Sequence, residues 1–210
     1  MKQLTLLLAE DEIMVRQGLK ALLYQQPNIR IIHEAGNSDE VLAVLENNNI
    51  DIVLLDVRMP GMQCILLVEQ IRRNHPAVKI LVITGLFGTE LIFNLLKAGI
   101  HGFVQKMNGF DEIEKAIEQI MISNQYLSSD VIEIIQQNVS FWKYVPPIKL
   151  SEKEVALLKA IVSGLTTKAI AEKFSIPPSS AETNRNRLMK KTGTQNTAEL
   201  IAYAFRNGII

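Results

Sequence analysis

The chain has 210 residues, 48% apolar and 21% charged, a composition that excludes disorder as the dominant state and a length that allows one or two domains. Its formal net charge is zero, 22 Lys+Arg against 22 Asp+Glu, which taken whole argues against a strongly basic nucleic-acid binder or a membrane-surface protein. The single cysteine, Cys64, excludes an intrachain disulfide, points to no cysteine-based metal site and fits a reducing compartment.

The run Leu4–Ala9 meets Glu10-Asp11-Glu12 at once and is too short for a secretory core. No run nears the roughly 18 apolar residues of a membrane span. No membrane contact is expected, and the expected location is the cytoplasm. Further short apolar runs follow at Ile29–Ile32, Ile50–Leu55, Ile80–Ile83 and Gly102–Val104. Between them lie segments with helical spacing: Ile13, Arg16, Leu19, Leu22 and Leu23; Val41, Leu42, Val44 and Leu45; Leu66, Val68 and Ile71; Leu91, Ile92, Leu95 and Leu96; Ile113, Ala116, Ile117 and Ile120. Five strand-plus-helix units imply an α/β fold: a doubly wound, five-stranded parallel sheet with helices on both faces. Unbroken apolar strands suit burial on both sides. This domain is set at 1–124.

Residues 125–148 read as an interdomain linker. Val131, Ile132, Ile135 and Val139 can line a short helix. Then come Phe141, Trp142, Tyr144 and Pro146-Pro147, and two prolines make a stiff, extended joint. The aromatics are expected to pack rather than bind a ligand.

Residues 149–210 are helical in pattern. Ser151 to Glu154 is a capping box with Leu150 and Val155 as staple. Gly164 ends that helix. Thr166 caps a short second helix through Phe174, and Ser175-Ile176-Pro177 turns the chain. A third helix runs to about Thr192, and Asn196 caps a fourth that stops at Asn207-Gly208. A short helix, a turn and a longer helix form a helix-turn-helix within a small all-α, four-helix domain.

Charge counted by region is uneven. Residues 1–124 hold 11 Lys+Arg and 15 Asp+Glu, residues 149–210 hold 10 and 5. A small helical domain of +5 suits a polyanion.

In a doubly wound sheet, ligands bind beyond the carboxyl ends of the strands. Glu10-Asp11, Asp56, Thr84-Gly85 and Lys106 stand there. Clustered carboxylates repel, and Mg²⁺ with its preference for oxygen ligands relieves this. A carboxylate is a competent phosphoryl acceptor, and Lys106 and the Thr84 hydroxyl can serve the transferred group's oxygens.

Residues 1–122 resemble a bacterial response-regulator receiver domain. The resemblance rests on Asp56-Val57-Arg58-Met59-Pro60-Gly61-Met62, Leu81-Val82-Ile83-Thr84-Gly85, and Ala98-Gly99-Ile100-His101-Gly102-Phe103-Val104-Gln105-Lys106. Residues 149–210 resemble the LuxR-type helix-turn-helix, as in Leu150–Glu154 and Lys168-Ala169-Ile170-Ala171. The pairing is that of the NarL/FixJ two-component regulators, whose receiver is flavodoxin-like. The resemblance implies that Asp56 takes a phosphoryl group from a cognate histidine kinase. It implies Mg²⁺ on Glu10, Asp11, Asp56 and the Arg58 carbonyl, sensing by Thr84 and Lys106, and Phe103 as the switch aromatic. It further implies a homodimer when phosphorylated, double-stranded DNA as target and RNA polymerase as a further candidate partner. Departures are Gln63-Cys64 for a common Asp-Gly pair and Met107 for a common proline. His33, His75 and His101 read as surface or packing residues.

At 100° per residue, Ala181, Leu188 and Thr192 share one side of the third C-terminal helix, with Asn184 nearby. Glu182, Thr183, Asn186, Arg187 and Lys190 share the other, the expected DNA side. Asn186 suits adenine and Glu182 cytosine. Arg187, Lys190, Lys191 and Lys168 are phosphate candidates. Two helix starts stay open: Pro178 at the first helical position, or Ser179 as cap with Glu182 completing a box. The function expected is a phosphorylation-dependent, DNA-binding transcriptional regulator, catalysing only its own phosphorylation and dephosphorylation. The rivals are a protein-interaction switch that has lost DNA binding and an aspartyl-nucleophile phosphatase. Leu200, Tyr203 and Phe205 of the fourth helix are expected to form either a dimer surface or a core face.

Overall fold

The computed structural model describes residues 3–86, 88–142 and 148–210. Tyr144 and Pro146-Pro147 lie outside them. The chain divides into two compact units, Met1–Ile120 and Met121–Ile210.

The first unit is the expected parallel sheet. Its strands are β1 (Leu4–Ala9), β2 (Ile29–Ala35), β3 (Ile52–Leu55), β4 (Lys79–Thr84) and β5 (Gly102–Gln105), in the spatial order β2-β1-β3-β4-β5. Every residue of β3 is buried, as are five of six in β4, which is why these strands read as unbroken apolar runs. β2 is an edge strand and alternates less cleanly. It runs three residues past the apolar run, since His33, Glu34 and Ala35 stay in register with Leu7, Leu8 and Ala9, and the Glu34 side chain pairs with Arg16 and Lys20. β3 begins two residues after Ile50. There the Asp51 carboxylate instead accepts from the Thr5 amide at 2.9 Å.

The chain leaves β1 toward β2 on one side and returns to β3 on the other. The strand order reverses at β1/β3, so the carboxyl ends of these two strands flank a crevice. The connecting helices are α1 (Ile13–Leu23), α2 (Ser38–Asn47), α3 (Cys64–Asn74), α4 (Thr89–Ala98) and α5 (Phe110–Ser123). Their buried residues recur at helical spacing, as in Ile92, Leu95 and Leu96.

The loop after β3 is tied to α2. Ser38 Oγ accepts from the Met62 amide at 2.7 Å, and the Ser38 amide donates to the Pro60 carbonyl at 3.1 Å. Gly61 sits between them at φ 103°, where a Cβ would lie 2.1 Å from Ser38 Oγ. Only glycine permits both that backbone conformation and that approach.

The second unit holds α6 (Ser129–Gln137), α7 (Glu152–Val162), α8 (Thr167–Lys173), α9 (Pro178–Thr192) and α10 (Thr197–Arg206). The expected caps are present: the Ser151/Glu154 box, Thr166 accepting from Ala169, and Asn196 accepting from Glu199. Helix α9 starts with Pro178 at its first position, so the Ser179-cap alternative does not occur. The Pro177 carbonyl receives the Ser180 and Ala181 amides, and proline's missing N–H costs nothing at that end.

The helical part of the segment set at 125–148 lies with the second unit. Val131, Ile132 and Ile135 of α6 are buried, and Arg206 of α10 donates to the Val139 and Trp142 carbonyls. Trp142 is buried, in keeping with a packing role. Leu200 and Tyr203 of α10 are also buried, and the Tyr203 hydroxyl accepts from the Ile148 amide at 3.0 Å. Leu200 and Tyr203 thus pack within the unit, while Phe205 is half-buried.

Candidate functional site

Glu10 follows β1, Asp56 follows β3 and Lys106 follows β5. The fold brings the three together. Lys106 Nζ lies 2.6 Å from Glu10 Oε2 and 2.8 Å from Asp56 Oδ2. Glu10 and Asp56 are buried, at 2% and 6% exposure, and Asp11 beside them is exposed. One carboxylate oxygen from each of Glu10, Asp11 and Asp56 falls within 4.8 Å of the others.

Burial pushes the Glu10 carboxyl above its ordinary value and the Asp56 charge adds to this, while Lys106 pulls it back. Burial opposes the Lys106 charge too, but hydrogen bonds to Asp56 and Glu10 outweigh it and hold the ammonium above its usual range. The ammonium therefore holds together a cluster that would otherwise repel itself. It contacts two of the three acids and leaves the exposed Asp11 open.

Thr84 is buried at the end of β4, and its hydroxyl accepts from the Leu86 amide at 3.1 Å. Space beside Gly85 is open. The Arg58 amide donates to Asp56 Oδ1 at 3.3 Å, so the loop after β3 also orients the carboxylate. Phe103 is buried in β5. Cys64 opens α3, and its thiol is pushed up to about 12 by burial and by the Asp56 charge, which leaves it a protonated packing group.

A stability test follows from Glu10. Its folded pKa lies above the unfolded one, so the stability it contributes is complete below pH 4.5 and lost as pH rises through the folded value. Glu10→Gln mimics the protonated acid. Without divalent cations it is expected to melt above wild type at pH 7 and close to it at pH 4. Equal melting temperatures at pH 7 would show that Lys106 fully offsets the burial of the charge.

In the second unit, α9 places Ala181, Leu188 and Thr192 inward and Thr183, Asn186, Arg187 and Lys190 outward. Lys168 is exposed on α8. Two expected contact residues are engaged within the unit. Lys191 Nζ is 2.6 Å from Glu154 Oε2. Glu182 Oε1 accepts from Arg185 Nη2 at 2.7 Å and from Asn186 Nδ2 at 3.4 Å. Arg185 is buried and also donates to the Ser123 carbonyl. Arg185 is not among the residues expected from the sequence. Its place four residues after Ala181 and three before Leu188 puts it in the inward stripe, and that spacing was available as a signal.

Residues 6–118 match the family model of the response regulator receiver domain, and residues 149–204 that of bacterial regulatory proteins of the luxR family. The chain is a response regulator of the NarL/FixJ type. It is 26% identical to the response regulator GacA of Pseudomonas syringae pv. syringae over 210 residues, covering 97% of this chain and 96% of that one. It is 26% identical to UvrY of Escherichia coli over 208 residues, covering 98% and 95%. Among solved structures it resembles RcsB of Salmonella enterica serovar Typhimurium bound to promoter rprA with phosphomimetic BeF3-, at TM-score 0.60, 22% identity, and 96% and 98% coverage. A LuxR-family response regulator from Aurantimonas matches at TM-score 0.61 and 27% identity, over 65% of this chain and 97% of that one. Such regulators act on transcription, and no helix among the described residues is long and apolar enough to cross a membrane.

Proposed function

We propose that this response regulator accepts a phosphoryl group on Asp56 from a cognate histidine kinase and thereby changes the DNA affinity of its C-terminal domain. Residues 1–124 form the receiver in this reading, 149–210 the DNA-binding domain, and the segment between them the joint. The observation that carries it is the Lys106 ammonium bridging two buried acids, Glu10 and Asp56, at the switch point of the sheet. Asp56 is the acceptor, held by the Arg58 amide on one oxygen and by Lys106 on the other. After transfer, Lys106 can follow the added charge, and Thr84 can turn its hydroxyl toward it. Phe103, on the neighbouring strand β5 in register with Val82, two residues before Thr84, is the packing element that responds.

Three carboxylates in reach of one another, one of them exposed, are a donor set suited to Mg²⁺. Asp11, Asp56 and the Arg58 carbonyl would hold it, with Glu10 directly or through water. When bound, it supplies positive charge against the phosphoryl oxygens.

Helix α9 reads double-stranded DNA through Thr183 and Asn186, with Arg187, Lys190 and Lys168 on phosphates. Phosphorylated chains pair on two half-sites, in the cytoplasm, with RNA polymerase as a further partner. The deciding experiment is selection of bound genomic fragments with and without a small phosphodonor. Enrichment of a paired motif only with phosphodonor is the expected result, and no enrichment in either state would overturn it. Arg187→Ala and Lys190→Ala are each expected to weaken binding evenly across sequences and to flatten the salt dependence by about one unit of slope. Lys191→Ala is expected to do less, because Glu154 already holds that ammonium.

A further inference from the structure

We propose that Arg185 is a positioning residue for DNA reading: it keeps the Glu182 carboxylate out of the base-reading set of α9 and masks its charge. The inference rests on α9 being the DNA-reading helix.

Arg185 is 8% exposed and occupies a position between Ala181 and Leu188 where an apolar side chain would serve the core better. Among the described residues its guanidinium donates to the Ser123 carbonyl and to Glu182 Oε1. Glu182 belongs by sequence to the side of the helix that carries Thr183 and Asn186. The bond to Arg185 draws it back, and Asn186 Nδ2 leans on the same oxygen. Left alone, a carboxylate there would repel phosphates or accept from a cytosine amino group.

A second observation sets this pair apart from ordinary packing. Glu182 Oε2 and Arg185 Nε are both buried with no hydrogen-bond partner among the described residues. The pair therefore leaves polar capacity unmet at a core position that an apolar side chain would fill at lower cost. What the pair does deliver is a fixed, neutralised carboxylate on the reading helix. Its anchor, the Ser123 carbonyl, lies in the same compact unit.

The test is a mutant cycle on the full chain, read by affinity for a randomised duplex pool and by the sequences it selects. Arg185→Met is expected to weaken binding roughly ten-fold and to create a cytosine preference at one position. Glu182→Gln alone should leave affinity and preference unchanged. The double variant should return to within about two-fold of wild type and lose the new preference. Arg185→Gln, which keeps a donor for the Ser123 carbonyl but no charge, should behave as Arg185→Met and covers the case in which that variant fails to fold. Arg185→Lys should behave as wild type. Loss of binding in Arg185→Met that Glu182→Gln does not restore, or a changed preference in Glu182→Gln alone, would overturn the proposal. Failure of the wild type to bind any duplex, with or without phosphodonor, overturns the DNA reading itself and the proposal with it.

Discussion

Asp56→Asn is expected to abolish phosphoryl uptake. Treated with a small phosphodonor and Mg²⁺, the wild type should gain one phosphoryl group per chain by intact mass, and the variant none. Asparagine keeps the shape of the side chain and can still accept from the Arg58 amide, so the fold should hold. What is lost is the nucleophilic oxygen and one of the two partners of Lys106. Glu10 and Asp11 remain as carboxylates, but Glu10 is buried and tied to Lys106, while Asp11 lies outside the contact with the ammonium. Neither should substitute. DNA affinity of Asp56→Asn should stay at its untreated level after phosphodonor is added. A phosphate on Asp56→Asn would place the acceptor elsewhere.

Removal of the ammonium acts on the same charges from the other side. Lys106→Met leaves Glu10 and Asp56 buried and unpaired, and a buried acid without its partner is strongly destabilising. Mg²⁺ should then recover more melting temperature in Lys106→Met than in wild type, since it is the remaining source of positive charge.

The receiver half was legible because its two signals agree. Strands buried on both faces read as unbroken apolar runs, and the polar residues that interrupt them cluster at the carboxyl ends, where the topology puts a ligand. Glu10, Asp56 and Lys106 stand out as a set from strand ends alone. That Glu10 and Asp56 share one ammonium was not legible, because side-chain direction beyond a strand end depends on the loop. Ser38 is the example. Nothing in its neighbourhood reveals that it approaches Gly61 and pins the loop after β3.

The C-terminal half was legible in its helices and caps but less so in its surfaces. Periodicity sorted Ala181, Leu188 and Thr192 inward, yet Arg185 was not placed with them, since a charged residue is read by default as solvated. The segment 125–148 was read as a joint because two prolines dominate its end. Its first half packs, and α6 shares the second unit with α10. At Pro177-Pro178 two starts were open on sequence alone. The missing proline N–H suits the first helical position, and the helix forms there.

The largest pH effect is expected from His101. Of the three histidines it alone is buried, at 5% exposure, at the foot of β5, while His33 and His75 are half-buried. Its Nδ1 accepts from the Ile80 amide at 2.9 Å, and the His101 amide returns a bond to the Ile80 carbonyl at 2.8 Å. A protonated Nδ1 could not accept. Burial, with the positive charges of Arg72 and Lys79, holds the imidazole down to about 3. The unfolded chain takes up this proton near pH 6.5 and the folded chain does not, so stability falls as pH falls between those values. The expected loss is about 2 kcal/mol at pH 5 and about 4–5 kcal/mol by pH 3. Glu10 acts in the opposite direction at acid pH, so the comparison must be with a variant rather than with wild type alone. His101→Asn places an uncharged acceptor at the position of Nδ1. It is expected to be less stable than wild type at pH 7.5, through lost packing, and to close about 2 kcal/mol of that gap at pH 5. Urea titrations of both proteins at the two pH values measure this directly, and parallel curves would mean that the imidazole titrates normally in the folded chain.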